Sequence, residues 1–205
     1  MKKIILTTIL VVALAGCGNP KEASEKNFEV SIQAFLDKGF PACLIVEKFP
    51  TDPNAWDIRG QHAIYAEMEK MGLLTKTEEM KKQFKWSKPT LQTSYNLSAE
   101  GKKYYTMVDD KIKGKQSGFC FGKAKVEKII DFSEPSEMMG NKISRVNYTF
   151  SVTDLPDWIK KPEITKLSEP IKKIVESAET PIKADGTMIL TNKGWVESHL
   201  FGEDK

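Results

Sequence analysis

Histidine is nearly absent: His62 and His199 are the only two imidazoles in 205 residues. A general base, a proton shuttle or a histidine-built metal site has almost no material to draw on. Neither residue sits in an H-E-x-x-H pattern, and G-x-S-x-G, the P-loop and G-x-G-x-x-G patterns are missing too. The sequence therefore excludes helical zinc hydrolases, nucleophile elbows, phosphate-cradling loops and dinucleotide folds at the level of motifs. Cysteine is scarce at three residues, too few for a disulfide-dense scaffold or a four-cysteine zinc site. Net charge is only +3, which rules out a polyanion-binding field over the whole chain. Repeats and low-complexity tracts are missing as well.

One long apolar run is present. Lys2 and Lys3 precede Ile4 to Ala15, a stretch interrupted only by Thr7 and Thr8. A membrane span needs roughly 20 apolar residues, so this run fits the core of an export signal. It closes on Leu14-Ala15-Gly16-Cys17, which resembles the lipobox of bacterial lipoproteins. That resemblance implies a signal peptide over 1–16, cleavage before Cys17 and palmitate-type acylation of its thiol. Gly18 in place of Asp implies the periplasmic face of the outer membrane rather than the inner membrane. Residues 17–27, "CGNPKEASEKN", are small and polar and read as a flexible lipidated tether.

With Cys17 lipidated, Cys43 and Cys120 remain as a pair in an oxidising compartment, both among apolar neighbours ("PACLIV", "GFCFG"). A disulfide between them is expected. Charge is distributed unevenly. Residues 17–75 sum to −3 and residues 116–205 to −1, whereas residues 76–115 carry 10 basic and 5 acidic side chains.

The expected fold class is α+β in two units, 28–108 and 119–205, joined by a hinge at 109–118 where "DDKIKGKQSG" interrupts the pattern. In the first unit, Phe28, Ile32, Phe35 and Leu36 fall at helical spacing up to Gly39. "ACLIVEKF" is rich in β-formers. A second helix from about Asn54 would bury Ile58, Ile64, Tyr65, Met68 and Met71, with Gly72 as its cap. "LLTKTEE" and "TLQTSYNL" read as a hairpin, and Ser98 opens a last helix. "MEKMGLLTKTEE" and "YNLSAEGKKYY" together resemble the end of a recognition helix, the wing and the closing helix of a winged helix. Between Asp57 and Met71, however, Arg59 and Lys70 face Asp57, Glu67 and Glu69, a net −1. Such a helix cannot grip phosphates, so no nucleic-acid partner is expected.

The second unit reads as an antiparallel sheet with one or two helices. Ala124, Val126, Ile130 and Phe132 alternate with charged residues, as Val146, Tyr148, Phe150 and Val152 do with polar ones. Ile164, Leu167, Ile171, Ile174, Val175 and Ala178 have helical spacing, interrupted at Pro170. "TMILTNKGWV" predicts a hairpin around Asn192-Lys193-Gly194. The stretches "GFCFGKAKVEKIIDFSEP", "SRVNYTFSV" and "LTNKGWV" resemble exported proteins of the CpmJ type, associated with carbapenem gene clusters. That likeness implies no catalytic motif.

Candidate chemistry is thin. Asp52 and Asp57 flank a turn, Asp109-Asp110 lies in the expected hinge, and Met68, Met71 and Met138-Met139 read as filler rather than copper ligands. Catalytic residues, metal sites and cofactors are not expected. The suggestive feature is the hairpin tip, where Lys81, Lys82, Lys85 and Lys88 surround Phe84 and Trp86. Cations interleaved with aromatics suit an envelope protein, lipopolysaccharide or another anionic partner. The expected role is thus non-enzymatic binding at the cell envelope. The alternatives are a resistance or immunity factor that sequesters a toxic small molecule, and an envelope hydrolase.

Overall fold

The computed structural model describes residues 19–52, 61–82, 85–110 and 114–202. Cys17, Asp57, Ile58 and Phe84 lie outside these residues, as do the side chains of His62, Asp109 and Asp110.

The protein is a mixture of helices and antiparallel sheets. The larger sheet contains β6 (Lys123–Phe132), β7 (Ser136–Met138), β8 (Asn141–Thr153), β9 (Ile182–Leu190) and β10 (Trp195–Glu197). Its order is β10-β9-β8-β6, with β7 also pairing β8. Helix α1 (Glu25–Gly39), capped by Ser24, lies on this sheet. Phe28, Ile32 and Leu36, spaced four apart, present one apolar stripe. They pack with Val126, Ile129, Val146, Tyr148, Met188 and Trp195 into one core.

A three-stranded sheet, β1 (Ala42–Val46), β5 (Gly114–Phe121) and β4 (Tyr105–Asp110), anchors the other core. Helix α2 (Gln61–Lys70) contributes Tyr65 and Met68, and Gly72, at φ 76°, ends that turn. The base of a hairpin, β2 (Leu74–Lys81) with β3 (Thr90–Leu97), adds Leu74 and Tyr95. Trp158 and Ile159, with Ile164 of α3 (Pro162–Thr165) and Ile171 of α4 (Glu169–Glu176), close it.

The chain order and the two cores do not coincide. The expected units, 28–108 and 119–205, each lend a helical segment to the other core. Helix α1 needs a broad apolar surface and finds it on β6, β9 and β10, with Val146 and Tyr148 of β8 in the same core. Within the expected hinge at 109–118, residues 109–110 and 114–118 are paired strand, with Asp110 opposite Gly114 and Ser117 opposite Met107. Its glycines turn and thin a hairpin rather than interrupt one. The winged-helix arrangement is not supported either, because α1 belongs to the other sheet. At Ser98 a single 3-10 turn (Gly101–Lys103) replaces the expected helix. The β-favouring run Tyr105 to Val108 pairs with β5 instead.

Two register details also depart from strict periodicity. Bulges in β6 shift the pairing between Val126 and Lys128 and again between Ile129 and Asp131. Ile129 therefore turns inward and Ile130 is exposed, the reverse of simple alternation. The helical stretch after Trp158, expected to break or kink at Pro170, is divided into α3 and α4, leaving Leu167 exposed between them. Pro170, in the first turn of α4, cannot continue an earlier helix. Cys43 and Cys120 sit opposite each other on β1 and β5 and form a disulfide with Cα atoms 4.0 Å apart.

Candidate functional site

The hairpin β2–β3 behaves as an arm. Pairing runs without a break from Leu74 opposite Leu97 to Lys81 opposite Thr90. Only the base touches the core: Leu74 is the one buried residue of β2, and Tyr95 the one of β3. Because side chains alternate, Leu74, Lys76, Glu78 and Met80 share a face with Leu97, Tyr95, Thr93 and Leu91. That face starts in the core and ends uncovered, with Met80 65% and Leu91 59% exposed. At the tip Trp86 is 85% exposed, so its indole is not folded back onto the sheet.

Charge along the arm is partly cancelled. Lys76 lies 3.0 Å from Glu78, and Lys81 lies 3.0 Å from Glu79. Hydrogen bonds to those carboxylates, then their charge, raise both lysines above the ordinary range. Lys82, Lys85 and Lys88 are exposed and make no ion pair among the described residues. The structure thus brings five of the six expected contact residues, Lys81, Lys82, Lys85, Trp86 and Lys88, to one hairpin end. The sixth, Phe84, lies outside the described residues.

A cleft of about 380 Å³ opens where Glu100 and Tyr104 meet Asp157 and Trp158. Ser98 ties together the neighbouring turns: its hydroxyl donates to the Gly72 carbonyl at 2.5 Å and accepts from the Gly101 N–H at 2.9 Å. Gly101 is needed there, since a Cβ would land on the Leu73 carbonyl oxygen. Lys103 hydrogen-bonds Glu100 at 2.5 Å and thereby holds this carboxyl below its usual range. Burial, then the hydrogen bond it donates to Glu100 at 3.2 Å, pushes the Tyr104 phenol up. Glu100 therefore stays anionic and Tyr104 neutral at pH 7. Both shifts oppose proton transfer, the reverse of what a general acid and base require.

His199 has a structural use. Its backbone N–H donates to Glu197 at 2.7 Å, its ring nitrogen lies 3.1 Å from both Glu197 oxygens, and its ring stacks on Phe35 at 5.5 Å. Glu197, only 2% exposed, thus closes the last 3-10 turn (Ser198–Leu200) against α1. Met68 is fully buried, as filler should be, whereas Met138 and Met139 are exposed. Among the described residues no three His, Cys, Asp or Glu side chains converge as a metal set.

One feature escaped the sequence altogether. The expected tether is docked from Asn19 onward. Asn27, inside α1, donates from its amide to the carbonyls of Asn19 at 2.9 Å and Glu22 at 2.8 Å. The Trp195 indole N–H donates to the Glu22 carbonyl at 3.1 Å. Gly194, at φ 132°, lies so close under Pro20 that a Cβ would stand 2.9 Å from the Pro20 oxygen. Small polar composition concealed this, because the partners sit some 170 residues away in the chain.

Comparison with known proteins adds no relative: no protein-family model, curated protein or solved structure matches the chain.

Proposed function

We propose that this chain is a lipid-anchored protein of the bacterial envelope that engages an anionic partner through the β2–β3 arm. The anchoring half rests on Lys2-Lys3, the apolar run and the Leu14-Ala15-Gly16-Cys17 ending. Three acyl chains on Cys17 would make attachment effectively permanent, whereas one alone binds marginally. Trp86 carries the binding half, standing 85% exposed among Lys82, Lys85 and Lys88, whose charges no described carboxylate cancels. Exposed aromatic and cationic groups on a projecting element favour a partner with acidic and apolar character. The bridge between Cys43 and Cys120 accords with an oxidising compartment.

Crosslinking in intact cells tests the binding half. Lys82→Glu with Trp86→Ala should abolish at least one crosslinked species while leaving the fold intact. Survival of every species would reject the arm as the contact surface. Labelled palmitate tests the anchor: incorporation should occur in the natural chain and vanish in Cys17→Ser.

The cleft at Glu100 lends a hydrolase no support, since its carboxyl is held below and the Tyr104 phenol above the ordinary range, which weakens the one as a base and the other as an acid. The described clefts, about 280–380 Å³ and open to solvent, lie at the small end of ligand pockets, which run roughly 300–1,000 Å³. Sequestration of a small molecule is the weaker reading.

A further inference from the structure

We infer that the docked segment 19–22 seats this protein directly on its own bilayer, with the turn at 191–194 facing the lipid headgroups. The inference rests on lipidation of Cys17 and says what that anchor does to the folded body. A flexible linker would let the body tumble and would define no membrane-facing side. Here the slack is removed. Asn27, Trp195 and Gly194 together fix residues 19–22, so only Gly18 separates the lipidated residue from docked chain. Two extended residues span at most about 7 Å. The Asn19 Cα must then lie within that distance of the Cys17 Cα, and the surface around Pro20 only one residue and one thioether side chain further from the glycerol.

The chemistry of this surface suits such a neighbour. Lys21 and Lys193 are exposed and adjoin the Pro20–Gly194 contact on either side. Asn192 is exposed with them. Ammonium and amide donors at this site meet headgroup phosphates, whose charge and acceptor oxygens they match. The committed partner is the phosphate layer of the anchoring leaflet. Two consequences follow for the arm: its direction is fixed relative to the membrane, and its reach is set by the fold rather than by linker length.

The full lipidated chain carrying Lys193→Cys provides the test. Cys17 is acylated and Cys43 is bridged to Cys120, so the new thiol alone takes a fluorophore. The protein is placed in phosphatidylethanolamine–phosphatidylglycerol vesicles that contain a lipid with a nickel-chelating headgroup as quencher. Quenching should be strong, and should fall several-fold when about 20 Gly-Ser residues, spanning roughly 25 Å, are inserted between Gly18 and Asn19. Asn27→Ala combined with Trp195→Phe should lower it without any insertion, since the phenyl ring keeps the core filled while the donors are lost. Circular dichroism and the intact disulfide establish that this variant is folded. A label that ignores the spacer in protein that floats with the vesicles overturns the seating alone. Protein that neither takes up palmitate nor floats overturns the anchor, and the seating with it.

Discussion

At the scale of single residues, side chains far apart in sequence hold the elements in place. Gln33 is the clearest case. From α1 its amide donates to the Ala124 carbonyl at 2.9 Å and accepts from the Val126 N–H at 2.9 Å. It thereby completes two backbone groups on β6, the edge strand of the larger sheet, as a neighbouring strand would. Gln33→Ala should cost about 1–3 kcal/mol, because both groups lose their partner in a part-buried setting. Urea unfolding measures the cost, and faster amide exchange at Val126 would locate it. A variant as stable as the natural chain would reject the role. Ser177 works alike, its fully buried hydroxyl accepting from the Val152 N–H at 2.8 Å. Neither contact leaves a mark in local sequence, because Gln on a helix face and Ser at a helix end read as solvated.

At the scale of elements, much was legible and the failures have physical causes. Periodicity located α1, β6 and β8, each of which presents an apolar face at its own repeat; β-forming residues marked β1, and turn residues marked the hairpin around Gly194. Bulges defeated the reading of Ile129 and Ile130, because one inserted residue inverts every later side chain. In the span 109–118, turn-forming residues suit a hairpin and a hinge alike, and residues 109–110 and 114–118 are paired strand. The basic tip was visible as composition; its exposure, and the uncovered face of Met80 and Leu91 behind it, were not. The Cys43–Cys120 bridge closes a 77-residue separation between the strands. On the chain-entropy account, Cys43→Ser with Cys120→Ser should lower unfolding free energy by about 4 kcal/mol. Denaturant unfolding of the double variant against the oxidised natural chain measures this. A loss below about 1 kcal/mol would show that the denatured chain is already restricted.

At the scale of the whole molecule, interleaving of the two cores predicts a single unfolding event. Helix α1, which leads into β1 of the smaller sheet, covers the larger sheet, whereas α3 and α4, which follow β8 of the larger sheet, join the other core. Ile32→Ala in one core and Ile164→Ala in the other, both residues being fully buried, should each cost about 2–5 kcal/mol. Both should shift the same calorimetric transition. Two separable transitions would show that the cores are independent.

Alkali should destabilise the molecule through Tyr148. Burial, reinforced by Glu197 and Asp185, raises this phenol above its ordinary 10.0. The folded chain then holds the phenolic proton more tightly than the unfolded chain does. That stabilisation is complete below the ordinary value and is lost as pH rises through the raised one. Tyr148→Phe should flatten the decline in stability above pH 10, read from urea midpoints across that range. An unchanged slope would refute the assignment.

Beyond its base, the arm contributes to neither core, and this frees it from the demands that bind the rest of the chain. Substitutions there can alter what it touches without disturbing how the molecule folds. Grafting a different loop between Lys76 and Tyr95 should therefore leave the scaffold intact, and under the role proposed for the arm it would redirect binding.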